Sequence, residues 1–309
     1  MNGQGKHASV EPVLSVIVPC RGHARELRRC LAALHAQSCG VPHEIVVVDS
    51  AADPDVAAAA ADHPDVRRVS DSSGLRPGGA RNLGAREASG RLLAFLDADC
   101  VALPGWLEAV STALSAEGTV AVGGPVLDAL PRRLVAVADN MLQFTDFSPG
   151  RPDGVATHLP SCNLGIRREA YLELGGMTAD YPVCEDGLFS TAAASRWPEG
   201  LRFVRGMRVR HEGRSTLRSF LAHQRLFGFY RGSVGSRLRR PIYRRWGRWR
   251  IFAVPIVCVR LGYVLRRTAR WNPGQLMRLP ALLPILLAGL VVWAGAFRRG
   301  CLEAREHVG

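Results

Sequence analysis

Three apolar runs constrain this chain more than any other feature: "LSVIVP" at 14–19, "EIVVVD" at 44–49 and "RLLAFLD" at 91–97. None alternates polar with apolar residues, so each reads as a strand buried on both faces, as in parallel sheets covered by helices. Helical patterns lie between them. "ARELRRCLAALHAQ" sets Leu27, Cys30, Leu31 and Leu34 on one face, and the alanine-rich 54–61 segment reads as a second helix. "VRRVS" is a short strand, and "GGARNLGAREAS" a loop opening a helix that Gly90 ends. This alternation predicts an α/β fold, a mostly parallel sheet with flanking helices. Ligands of such sheets bind beyond the C-terminal strand ends, where Pro19, Asp49 and Asp97 fall.

The middle of the chain, about 100–215, is less regular. A helix is expected after Leu103-Pro104, strands in "VAVGGPV" and "LRFVRGMRVRH", and a helix after "CED". From about residue 214 the character changes. "STLRSFLAHQRLFGFYRG" reads as a helix, and the arginine-studded "SRLRRPIYRRWGRWR" leads into "IFAVPIVCVRLGYVL" and "LPALLPILLAGLVVWAGAF". The last has 19 uncharged residues, about 28 Å as a helix and close to the ~30 Å hydrocarbon core of a bilayer. The one before it carries Arg260 at its middle and reads as interfacial. The expected divisions are a flexible 1–13, an α/β domain at 14–231 and a basic, apolar membrane-associating tail at 232–309.

Charge divides the same way. Residues 201–309 hold 23 arginines against three acids, whereas residues 1–200 are net acidic. Such asymmetry points to a polyanion or an anionic membrane beside the last third. Trp246 and Trp249 among the arginines could stack on bases, but the segment runs straight into apolar stretches, so a membrane belt is preferred and no nucleic-acid partner is expected. Eight scattered cysteines without a C-x-x-C suggest neither zinc nor a disulfide frame. "MNGQGKHASVEPV" lacks an apolar core, so no secretory signal is expected.

Chemistry concentrates in a few acids. Asp97 and Asp99 end a buried strand; at i and i+2 of an extended segment both can address one ligand. Two carboxylates plus substrate phosphates are a common Mg²⁺ arrangement, although D-x-D could also be an ordinary strand exit. Gly79 and Gly84 have the Walker A spacing, but Ala85-Arg86 replaces its Lys-Ser/Thr, so a P-loop is disfavoured. What remains is a glycine loop at a helix start, with N–H groups and Arg81 able to face an anion. Glu185-Asp186 is either a helix cap or a general base. His211 is structural unless the fold returns it to Asp97 and Asp99.

"SVIVPCRGHARELRRCLAAL", "EIVVVDSAAD", "GGARNLGAREASGRLLAFLDAD", "SCNLGIRREAYLELGGM" and "CEDGLF" follow in order. Together they resemble the inverting family 2 glycosyltransferases of GT-A fold, over about residues 14–231. The resemblance implies a nucleotide-sugar donor and a divalent metal, Mg²⁺ or Mn²⁺. Pro19 and Asp49 would line the base pocket, Arg81 would lie near the nucleotide, and Asp97 would face the ribose or metal. Asp99 would ligate the metal, with His211 closing its site. Asn163 would sit near the donor sugar, and Asp186 would be the general base supported by Glu185. Gln224-Arg225 partly matches the QxxRW of processive members and lacks its Arg-Trp pair, so non-processive transfer is expected. Cys20-Arg21-Gly22-His23 and Ser50-Ala51-Ala52 depart from the family's pattern around the base pocket and leave the nucleotide open. The expected acceptor is an envelope or lipid-linked glycan at the cytoplasmic face of the membrane. The competing readings are a catalytically idle GT-A-like module recruited to the membrane, and a sugar-phosphate nucleotidylyltransferase, whose glycine-rich first loop is absent here.

Overall fold

Leu92–Leu96 is buried at every position and forms the centre of the sheet, as its unbroken apolar run requires. The computed structural model describes residues 11–237 and 253–306. The main sheet has eight strands. On one side lie β1 (Leu14–Cys20), β2 (His43–Asp49), β3 (Val66–Ser70) and β4 (Leu92–Leu96), all parallel. On the other, β9 (Asn163–Arg167) runs antiparallel to β4 and to β6 (Ala121–Gly123), followed by β10 (Leu201–Phe203) and the short β8 (Gly154–Val155). The parallel half is as expected; beyond β4 the sheet becomes mixed, because β9 returns on its neighbour's edge in the opposite sense.

The first helices cover this sheet: α1 (Ala24–His35), α2 (Pro54–Ala61), α3 (Pro77–Glu87) and α4 (Trp106–Ser115). Leu27, Cys30, Leu31 and Leu34 of α1 are its buried face, as their spacing indicated. The glycine segment differs from expectation. Gly78, Gly79 and Gly84 lie inside α3, whose first residue is Pro77, so no glycine loop opens the helix. Glycine is needed at 84 for packing: a Cβ there would run into Ile17 and Val48 of the sheet.

A second sheet of three strands, β5 (Cys100–Ala102), β11 (Val209–His211) and β7 (Val126–Asp128), stands at the C-terminal tip of β4. The "VAVGGPV" and "LRFVRGMRVRH" stretches therefore each split between the two sheets. After α5 (Leu134–Phe144), α6 (Arg168–Glu173) and α7 (Glu185–Arg196), the described residues include the long helices α8 (Leu217–Arg237), α9 (Ala253–Trp271) and α10 (Leu279–Glu306). α8 runs straight through the expected boundary at residue 231. Its Gly228 and Gly232 form a G-x-x-x-G face, where any Cβ would collide with the Trp293 and Phe297 carbonyls of α10. α10 is thus packed closely against α8 at both glycines. One helix among the described residues, α10, is long and apolar enough to cross a membrane, and 39% of its apolar window is buried within the protein. The arginine run at 238–250, with Trp246 and Trp249, lies outside the described residues.

Candidate active site

The tip of β4 turns back rather than continuing extended. The Cys100 N–H donates to the Asp97 carbonyl at 2.9 Å, closing a turn over Asp97-Ala98-Asp99-Cys100. Both carboxylates still line one cavity of about 630 Å³, together with Glu185, Asp186, His211 and Gln224. The two carboxylates share one cavity, although a turn and not an extended segment joins them.

His211 reaches this cluster through the second sheet. β11 pairs antiparallel to β5, so His211 lies opposite Cys100, and its Nε2 stands 3.6 Å from Asp99 Oδ2. Burial pushes Asp99 up, but His211 and Arg214 outweigh it and hold the carboxyl at about 2. Burial likewise disfavours the His211 imidazolium, and Asp99 more than compensates, raising it. His211 Nδ1 is buried without a hydrogen-bond partner.

Asp97 is held from behind. Arg81, 2% exposed, donates through Nη2 to Asp97 Oδ1 and through Nη1 to Glu185 Oε1 at 2.9 Å. Desolvation leads Asp97's upward shift, with Arg81 opposing it and Asp99 adding to it. Desolvation also raises Glu185 to about 7, against the pull of Arg81 and with the neighbouring Asp186 carboxylate adding to it. Arg81 forms the buried floor of the site, and both its guanidinium ends are occupied by protein carboxylates.

Asp186 differs from its neighbour because it is partly open to the cavity. Burial pushes it up, but His158 and Arg81 with the Gly187 N–H outweigh that and keep it at about 2. The Gly187 N–H donates to Oδ1 at 2.7 Å, and His158 Nε2 lies 3.6 Å from Oδ2. Cys184, the residue before α7, has φ of 73°, a left-handed conformation costly for a non-glycine residue. His23 after β1 (φ 60°) and Ala52 after β2 (φ 50°) share it. The strain thus lies at chain exits, where strands or loops hand over to helices.

Other expected residues fall elsewhere. Asn163 is fully buried: Oδ1 accepts from Trp106 Nε1 at 2.8 Å, and Nδ2 donates to the carbonyls of Met207 at 2.8 Å and Pro125 at 3.3 Å. Its side chain is engaged by these three hydrogen bonds within the core and does not line the cavity. Asp49, also fully buried, spends Oδ2 on Arg68 at 2.9 Å and Oδ1 on the Ala51 and Asp53 N–H groups. Pro19 sits one residue before the end of β1, beside Val48, and neither it nor Asp49 lines the cavity. Gln224 lines it, whereas Arg225 is exposed on the far side of α8.

Sequence reasoning missed His158, in a loop without local pattern, and a network around Asp139. Asp139 Oδ1 is 3.1 Å from both His223 Nδ1 and Gln143 Nε2, and Oδ2 accepts from the Arg214 N–H at 3.1 Å. Asp139, the one charged residue in the mainly apolar "LVAVADNMLQF", was the available signal.

The residues proposed to bind a metal can be tested on their chemistry. Among the described residues no group of three His, Cys, Asp or Glu side chains forms a ready-made cation cage. Asp99 is an anionic oxygen donor beside an imidazole, with the outer oxygen of Asp97 nearby in the same cavity. That set fits a hard divalent ion completed by substrate phosphates.

A sheet whose parallel half ends in paired carboxylates, abutted by a small second sheet that returns a histidine to them, defines a GT-A-like nucleotide-sugar transferase fold. The chain belongs to Glycosyl transferase family 2, whose profile matches residues 15–175. It is 29% identical over 174 residues to the glycosyltransferase AglE of Haloferax volcanii, covering 54% of this chain and 56% of that protein. It is 26% identical over 231 residues to the pre-mycofactocin glycosyltransferase of Mycobacterium tuberculosis, covering 70% of this chain and 46% of that protein. The chain thus spans about half the length of these curated relatives. A mannosyltransferase of Pyrobaculum calidifontis, solved with GDP-Man and Mn²⁺, shares the fold at TM-score 0.58 and 18% identity, over 93% of this chain and 87% of that one.

Proposed function

We propose that this chain transfers a glycosyl group from a nucleoside-diphosphate sugar to an acceptor hydroxyl, with inversion and without processive elongation. The observation that carries this reading is the place of Asp186: at the start of α7, lining the cavity that also holds Asp97 and Asp99. In a single displacement the acceptor oxygen bonds to the anomeric carbon as the bond to the diphosphate oxygen breaks. The hydroxyl proton passes to Asp186. A base this weak suffices because the proton becomes acidic only as its oxygen forms the new bond. Glu185 and Arg81 fix the start of α7 and so aim Asp186.

Asp99 and His211, with the outer oxygen of Asp97, would hold Mg²⁺ or Mn²⁺. When bound, such an ion neutralises charge developing on the leaving diphosphate. The Pyrobaculum structure, solved with GDP-Man and Mn²⁺, supports this assignment by fold. Gln224 belongs to the acceptor side. The acceptor would be an envelope or lipid-linked glycan. The apolar α10 and the arginine-rich last third support attachment to the cytoplasmic face of a membrane, where nucleotide sugars are made available.

The test is Asp186→Asn, measured for transfer and, by calorimetry with Mn²⁺, for binding of UDP, GDP and TDP. Transfer should fall by at least about a hundredfold with nucleotide binding kept. Retained turnover would remove Asp186 from the role, and a product with the donor's own anomeric configuration would remove inversion.

A further inference from the structure

The cavity beside Asp186 has a second half that sugar transfer alone does not need. Phe227 of α8, Ile256, Val259 and Val264 of α9, and Trp293 and Phe297 of α10 line the same space as the carboxylates. Sugar hydroxyls call for hydrogen-bonding partners, and the aliphatic side chains of α9 offer none. Gln224 lines the same cavity, is 1% exposed and has an Oε1 without a hydrogen-bond partner, and the lining residue Thr145 has a buried Oγ1 likewise unpartnered. A buried amide oxygen in that state is costly unless a ligand completes it.

The apolar half also has an exit. Val259 lines the cavity and is nevertheless 60% exposed, so the inner wall is continuous with the outer face of α9, which also carries Val254. Whatever occupies the apolar half can therefore reach the surface beside Val259. Arg214, Arg231 and Arg260 line the cavity too, and Arg260 stacks 4.0 Å over the Trp293 ring.

We infer that this half of the cavity receives a hydrocarbon chain carried by the acceptor, so that the acceptor is an amphipathic glycolipid. Its hydroxyl lies at Asp186, its polar junction at Gln224 and Thr145, and its chain along α9 and α10 toward Val259. The inference rests on the transferase reading above, because that reading sets an acceptor hydroxyl at Asp186. Contact with the apolar wall supplies affinity while the few polar groups set register, the usual division of labour in a ligand pocket.

The test uses the full chain and calorimetry with methyl, hexyl and octyl glucoside, each below its micelle concentration, and separately with nucleoside diphosphates and Mn²⁺. Octyl glucoside should bind at least about tenfold tighter than methyl glucoside, from methylene burial. Val259→Asp should erase that advantage and leave nucleotide binding unchanged, which also reports an intact fold. Val254→Asp, on the outer face only, should leave it in place. Equal affinity for all three glucosides, or equal loss in the Val254 and Val259 variants, would overturn the inference, the latter by showing adsorption to the outer face. If nucleotides fail to bind while the chain-length preference still depends on Val259, the transferase reading falls and the apolar site stands. Nucleotide binding without that preference is the reverse.

Discussion

Arg81 and Glu185 are 104 positions apart in the chain, and the Arg81 Nη1 donates to Glu185 Oε1 at 2.9 Å. The other end of the same guanidinium holds Asp97. One buried cation thereby joins α3, the tip of β4 and the start of α7, the three elements that frame the candidate active site. A charge so deep persists only because it is paired at both ends.

Removing that cation strands the buried Glu185 carboxylate and takes the partner from the part-exposed Asp97. Arg81→Met should destabilise the fold by about 3–5 kcal/mol, read as a lower denaturant midpoint at unchanged m-value. Arg81→Lys keeps the charge but not the fork and should fall between. A midpoint equal to wild type for Arg81→Met would show that the hub is dispensable.

Glu185 gives stability a pH signature. Its carboxyl is raised from 4.5 to about 7 in the fold, desolvation being the largest cause. A raised acid means that the folded state holds its proton after the unfolded state has released it. The contribution is therefore complete below about pH 4.5 and is lost as pH rises through about 7. Denaturation midpoints measured between pH 5 and 7.5 should show this falling component in wild type. In Glu185→Gln it should disappear, and an unchanged slope would place the proton elsewhere.

Asn163 separates a structural from a donor-binding role. Its three hydrogen bonds join β9 to Trp106, Pro125 and Met207 inside the core. Asn163→Ala strands those partners and should cost about 1–3 kcal/mol for each group left buried and unsatisfied. Nucleotide affinity of the folded fraction should not change. A weaker nucleotide complex at wild-type stability would restore the donor-side assignment.

The seam between α8 and α10 makes a paired prediction. A Cβ at Gly232 would meet the Phe297 carbonyl, whereas a Cβ at Gly295 meets nothing. Gly232→Ala should lower thermal stability and loosen α10 from the catalytic domain. Gly295→Ala should raise stability by about 1 kcal/mol, the ordinary helix-interior preference. Equal effects of the two would mean that α8 and α10 do not pack through glycine.

The strands β1, β2 and β4 and the buried face of α1 were legible because local patterning carries them: unbroken apolar runs and a 3.6-residue period leave few alternatives. The acids at 97, 99, 185 and 186 stood out for a similar reason, since charged residues at the ends of apolar elements demand an explanation. Local pattern could not show that "GGARNLG" packs as helix, because whether its glycines serve backbone freedom or close approach depends on Ile17 and Val48 across the interface. Nor could it separate Asn163, consumed by the core, from Gln224, left with an unpartnered oxygen in the cavity. His158 was equally silent, and the apolar runs of α9 and α10, plain in the sequence, did not show that they line the cavity. Residue type and short-range spacing specify which elements form, since those depend on neighbours within a few positions. Which side chains face one another across a cavity depends on contacts between residues a hundred positions apart, and the packed fold alone decides them.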